Sequence, residues 1–314
     1  MASLITQVKA KLFIRSAQKS VHALDGAYAS LLRGRSLDFE DLRPYEFGDQ
    51  VRDIDWRATA RHGEPLIKRT KATRKHTVLF LVDTGRGMRA LAEDEGGKRD
   101  LAVLLTGALG FLTVRHGDDF SVVYGDSARV RRLATGSSES ALEHALRTVS
   151  AAIDASAAAG DRDALLRYTA RNIARRMIVV LVTDEAPLTP DTEGLLRRLT
   201  VQHDVLWLTV RDADPVLPID RLRNPSDGFR VPSDGLSSPQ ATHRRDVDSG
   251  WAIPDFVHGD AEVMAELAAD EAAHTAVRDA TLRRLEITHA EFGAQSTAIS
   301  TLLAMLNRRS HARA

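Results

Sequence analysis

The order of apolar runs along this chain predicts an α/β fold: a doubly wound, mostly parallel sheet with helices on both faces. Three observations carry that expectation. The short runs 77–82 and 177–183 are almost wholly apolar, as strands buried on both faces are. Helix-spaced segments separate the apolar runs, which favours crossover units over a meander. Both runs lead into an aspartate, Asp83 and Asp184, and open α/β sheets bind ligands at the carboxyl ends of their strands.

Taken in order, residues 4–32 carry Leu4, Val8 and Leu12, then Val21, Leu24, Tyr28 and Leu31, at helical spacing. Residues 35–66 are charged, with aromatics interleaved, and read as irregular. After the strand at 77–82, residues 99–114 form a mostly apolar helix. Segments 120–124 and 128–133 flank the turn Gly125-Asp126-Ser127 and read as a hairpin, so one edge strand is antiparallel. Helices follow at 138–153, where serines precede the apolar positions as capping favours, and at 161–174. The strand at 177–183, a short helix at 191–199 and a strand at 205–210 complete the alternation. Residues 212–257 hold much of the Pro, Gly, Ser and Asp and read as a long irregular excursion. Helices at 261–285 and 298–309 close the chain. The expected organisation is an extension over 1–66, an α/β core over 67–211, and an excursion with terminal helices over 212–314.

Composition narrows the function. The chain has 314 residues, with 43 Lys+Arg balanced by 43 Asp+Glu, so no field that would gather nucleic acid or anionic lipid is expected. Its paired arginines are scattered, as on solvated helix faces. Cysteine is absent, which excludes disulfides, thiolate catalysis and Cys-ligated zinc. The histidines form no H-x-x-x-H pair. The first residues lack a continuous apolar signal region, and the longest apolar stretch, near 102–114, is too short to cross a bilayer. A soluble, cytoplasmic protein without membrane insertion is the expectation.

The loop after Asp83, "DTGRGM", admits three readings. Gly85, Gly87 and Ala90 fit G-x-G-x-x-A, but "EDEGGK" interrupts the helix that a dinucleotide loop must open. Asp83 and Asp184 could hold Mg²⁺ for a metal-dependent hydrolase, although no positioned His, Lys or third acid completes a reaction site.

The third reading is a resemblance. Strand, loop, helix, hairpin, helices, then a strand ending in Asp is similar to the plan of von Willebrand factor A domains. Their metal-ion-dependent adhesion site takes Mg²⁺ from the first Asp, two loop serines, a later Thr and the later Asp. Residues 39–88 closely resemble domain-of-unknown-function family 58. Arg43, Tyr45, Gly48, Asp49, Arg52, Ile54, Asp55, Trp56, Ala60, Arg61, Asp83 and Met88 match its pattern in register. The resemblance implies a von Willebrand A-like domain associated with a MoxR-type AAA+ ATPase. Many such proteins carry transmembrane segments, so this chain resembles the soluble branch.

The departures from the pattern are local. Gly85 and Gly87 replace both serines, and the stretch that should hold the threonine offers Asp161 and Asp163. A degenerate site follows, comprising Asp83, Gly85, Arg86, Gly87 and Asp184, with at most weak Mg²⁺ binding and no other cofactor. Arg86 either lays its guanidinium beside Asp83 or Asp184 in place of the ion's charge, or points into solvent. The motif residues Arg43, Tyr45, Asp49, Arg52, Asp55, Trp56 and Arg61 have two compatible readings. One is an ordered turn packing Tyr45 and Trp56 on the sheet, with Arg–carboxylate pairs. The other is a surface for a protein partner, since Arg, Tyr and Trp are the usual anchors. The expected function is a non-enzymatic adaptor or co-chaperone for a MoxR-type ATPase and an unidentified client; the alternative is the hydrolase.

Overall fold

The computed structural model describes residues 3–13, 25, 26, 28, 41–46, 49, 51, 54–69, 75–216, 245–247, 250, 251, 254, 257 and 260–312. A six-stranded sheet organises the molecule. Its strands are β3 (Thr77–Asp83), β4 (Asp119–Gly125), β5 (Val130–Arg132), β6 (Ile178–Thr183), β7 (Asp204–Val210) and β8 (Thr288–Phe292), in the spatial order β5-β4-β3-β6-β7-β8. All neighbours pair in parallel except the β4–β5 hairpin, the antiparallel edge that the sequence predicts. The architecture is therefore the expected doubly wound, mostly parallel α/β sheet. Strand order reverses between β3 and β6, the place where such sheets open a crevice.

β3 lies at that reversal and is buried at every position. Alternation sends Val78, Phe80 and Val82 to one face and Leu79 and Leu81 to the other. The first face is covered by α1 (Leu4–Phe13), α3 (Lys98–Arg115), α4 (Glu139–Ala155) and α8 (Ala298–Ala312). The second is covered by α5 (Arg162–Asn172), α6 (Pro190–Gln202) and α7 (Ala261–Arg284). α3 is buried on all sides from Leu101 to Thr113, which explains why it carries almost no polar stripe. Side chains on the preceding residues cap the helices: Ser138 accepts from Ala141 N–H before α4, and Asp161 from Ala164 N–H before α5.

Two expectations are corrected. Residues 35–66 are not wholly irregular. They include β1 (Asp41–Pro44), which pairs antiparallel with β2 (Leu66–Arg69), and α2 (Trp56–His62), capped by Asp55 and closed by Gly63 at φ 79°. Four-residue strands of mixed polarity leave no periodic signal, so pairing with a distant segment creates them. The chain's end also contains β8, added parallel to β7 between the last two helices. As an edge strand it buries only Ala290 and Phe292, and "THAEF" reads as polar. Within 4–32, α1 ends at Phe13, and most of 14–40 lies outside the described residues, as does most of the 212–257 excursion.

Candidate functional site

Parallel pairing of β3 with β6 brings Asp83 and Asp184 to one crevice, where the Asp184 carboxylate acts on Asp83. Asp83 is 1 % exposed and accepts the Gly85 N–H at 2.8 Å. Burial foremost, and then the neighbouring Asp184, push its pKa up to about 7, against the opposing pull of the Gly85 N–H, Lys98 and Arg162. Asp184 is half-buried and accepts from Ala186 N–H at 3.2 Å.

The loop after β3 turns at once into a short 3-10 segment, Arg86–Arg89, which buries Met88. Across it lies the segment 156–160 that joins α4 to α5. Arg86 N–H donates to Ala158 O at 2.8 Å, and Ser127 N–H donates to Ala159 O at 2.9 Å. The Ser156 hydroxyl donates to Asp126 at 2.9 Å, and the Arg86 guanidinium donates to Ala157 O at 3.3 Å. This segment forms a roof. A Cβ on Gly160 would stand 2.7 Å from an Asp83 carboxylate oxygen. A Cβ on Gly85 would stand 2.2 Å from the backbone N of Gly160. The backbone at Gly85, φ −62° and ψ 163°, suits any residue. What forbids a side chain there is the neighbouring chain, which fills the space a serine hydroxyl would use.

Two buried cations, Lys98 and Arg162, act on Asp83 at this crevice. Lys98, the first residue of α3, is 1 % exposed and places its ammonium 2.6 Å from Asp212. Arg162, the first residue of α5, is 7 % exposed. It donates to Ala186 O at 2.8 Å and Pro187 O at 2.9 Å, and its guanidinium stands 5.2 Å from the Trp207 ring centre. Both act on Asp83, and Asp184 acts on Arg162. Each cation also has a carboxylate partner of its own, Asp212 at 2.6 Å from Lys98 and Asp163 at 3.7 Å from Arg162, so the two offset the charge of Asp83 and Asp184 only in part. Arg162 lies between Asp161 and Asp163, in the stretch where the resemblance places a threonine. Those two acids turn to helix ends: Asp161 caps α5, and Asp163 accepts from the Thr192 hydroxyl at 2.8 Å. A lysine and an arginine at helix starts were the sequence signal available; their proximity to Asp83 was not.

The residues present do not fit a six-coordinate Mg²⁺. Gly85 and Gly87 supply no hydroxyl, the roof occupies the first of those positions, and two buried cations already face the acids. Among the described residues, no group of three His, Asp or Glu is placed to hold a metal ion.

Beyond the crevice, Arg211 follows β7 and is ringed by Glu93 (3.3 Å), Glu185 (3.4 Å), Glu271 and Glu291. Burial raises the Glu185 pKa. In the motif segment, Asp55 accepts from Arg57 and Ala58 N–H at 3.0 Å each, and Asp49 accepts from Glu46 N–H at 3.0 Å. Trp56 is 65 % exposed and Tyr45 37 %, so the expected packing of these rings on the sheet is not found. Arg61 is exposed; Arg52 and the side chain of Arg43 lie outside the described residues.

A family profile described as "Protein of unknown function DUF58" matches residues 41–228. Uncharacterized proteins of Mycobacterium tuberculosis and Mycobacterium bovis are 28 % identical over 200 residues. That alignment covers 62 % of this chain and 61 % of theirs, so the chain spans about three-fifths of the length of these curated relatives. An aerotolerance-related membrane protein from Bacteroides fragilis is similar at 17 % identity and TM-score 0.41, over 74 % of this chain and 99 % of that one. A von Willebrand factor type A structure from Catenulispora acidiphila is similar at 12 % identity and TM-score 0.28, over 45 % and 34 %. The fold assignment rests on the strand order itself. No helix among the described residues is long and apolar enough to cross a membrane.

Proposed function

This chain belongs to the DUF58 family of proteins of unknown function, and from that membership we propose that it is a non-enzymatic adaptor or co-chaperone. Its partner is a MoxR-type AAA+ ATPase, and the pair acts in assembly or maturation of another protein. The observation that carries the reading is the exposure of the motif's rings. Trp56 heads a helix with no buried residue, and Tyr45 and Val51, the latter 61 % exposed, lie in the same short segment. Large apolar side chains held in water close together in sequence fit a surface that a partner covers. Capping by Asp55 fixes the first turn of α2, so Trp56 is presented without a large ordering penalty on binding.

The metal-dependent hydrolase remains the second reading, because an acid with a pKa near 7 has the value of a general base at neutral pH. The roof over Asp83 and the two buried cations speak against it, since substrate and metal would have to displace both.

Retention of the purified chain on an immobilised MoxR-type ATPase tests the proposal. Trp56→Ala should weaken retention by about tenfold or more, while the exposed position leaves the melting temperature nearly unchanged. Full retention of folded Trp56→Ala and of folded Arg52→Ala/Arg61→Ala would sink the docking idea.

A further inference from the structure

We propose that the groove between edge strand β5 and helix α4 binds an extended acidic segment of a partner protein, whose alternate carboxylates pair with Arg129 and Arg131. The groove encloses about 480 Å³ at the carboxyl end of β4. Arg129 and Arg131 line its strand side, and His144 and Arg147 its helix side. The one carboxylate in its wall, Asp126, is 8 % exposed. It already accepts from Ala128 N–H (3.0 Å), Arg129 N–H (3.1 Å) and the Ser156 hydroxyl (2.9 Å). The charge left open to a ligand is therefore positive. Arg147 is anchored through Nε to Glu143 at 2.7 Å, whereas the guanidinium groups of Arg129 and Arg131 are exposed and have no partner among the described residues.

The spacing selects the ligand. Arg129 and Arg131 are two residues apart along the strand, and alternation puts both on the α4 side while Val130 packs against the opposite core. Side chains at i and i+2 stand roughly 6.6–6.8 Å apart, which is also the interval between alternate side chains of an extended peptide. The backbone offers the same register. Asp126 N–H donates to Arg129 O and Leu133 N–H to Val122 O, so positions 129, 131 and 133 turn their backbone groups inward to β4. Those of Val130 and Arg132 face the outer edge, where β5 has no neighbouring strand among the described residues. An added strand can pair there while its acidic side chains meet the guanidinium groups.

Other anions fit less well. Of the two rings in the wall, Tyr124 is buried and only the His144 imidazole is open, so the groove lacks the row of stacking rings that successive bases use, and the balanced charge of the chain gives no long-range pull on a phosphate backbone. One small anion would fill little of a groove of this volume. The groove uses none of the motif residues, so it stands or falls separately from the ATPase reading.

The test is fluorescence-polarisation binding of the full chain to a labelled peptide alternating Glu and Thr, beside its Gln–Thr counterpart. The Glu peptide should bind, weaken as salt rises, and lose about tenfold or more in affinity with Arg129→Glu/Arg131→Glu. Arg171→Glu, on the opposite face, should change nothing. Thermal unfolding confirms that each variant is folded, with Arg129→Gln/Arg131→Gln as the milder pair. Equal affinity in the folded double variant, or equal binding of the Gln peptide, overturns the proposal. So does tighter binding of oligouridylate, or displacement of the peptide by an equimolar amount of inorganic phosphate.

Discussion

Asp83 ends β3 at 1 % exposure beside a second carboxylate, and the protonated form is the one the folded chain favours. Its pKa of about 7 when folded, against 3.8 for an ordinary aspartate, means that the folded chain holds the extra proton between about pH 4 and 7. Stability contributed by the protonated form is present at the acid end of that window and is lost as pH rises through it, with the loss complete above about 7. Asp83→Asn keeps an oxygen for the Gly85 N–H and removes the charge. Its melting temperature should be flatter than the parent's across the window and exceed it by roughly 2 °C or more at pH 8, with the two converging toward pH 5. Parallel melting curves for the two proteins would mean that Asp83 ionises without penalty. Lys98 and Arg162 limit that penalty by placing positive charge near the acid.

At the scale of elements, the connection between α4 and α5 decides what the loop after β3 can hold. From the sequence alone, serine at 85 and 87 reads as the change that would restore metal ligands. The structure reverses that expectation at Gly85, because the obstruction is the backbone of Ala159 and Gly160 and not a movable side chain. Gly85→Ser should therefore destabilise the protein by about 1–3 kcal/mol, as overpacking does, and gain no Mg²⁺ response; chemical denaturation with and without Mg²⁺ measures both. A Gly85→Ser variant as stable as the parent, with new metal affinity, would show that the roof lifts readily. The buried strands, by contrast, were legible. Continuous apolar runs such as "VLFLV" and "MIVVLV" are what two-sided burial demands of any sequence, so β3 and β6 needed no knowledge of their neighbours. β1, β2 and β8 were not legible, because short edge or paired strands gain their identity from the partner that bonds to them.

For the whole molecule, the crevice carries its own cations and, among the described residues, no group of three acids or histidines placed for a metal, so a tight divalent ion is not expected. A site at one hundred times its dissociation constant would add roughly 2.7 kcal/mol, enough to raise the melting temperature by several degrees. Millimolar Mg²⁺ or Mn²⁺ should shift it by no more than about 1 °C relative to EDTA, a shift small against that linkage. Asp83→Ala controls for general ion effects. A large Mg²⁺-dependent rise that Asp83→Ala abolishes would favour the hydrolase reading instead.

By itself the sequence determined the fold class, the central strands, the antiparallel edge and the pair Asp83 and Asp184, because periodicity and strand-end position are local properties. Tertiary structure alone decided that Gly160 roofs Asp83, that Lys98 and Arg162 act on it as counter-charges, and that Trp56 stands in water. Each of those depends on which distant segments meet. A residue's charge and shape are written in the chain, but burial and partners are set by packing between elements up to a hundred residues apart or more, as with Lys98 and Asp212.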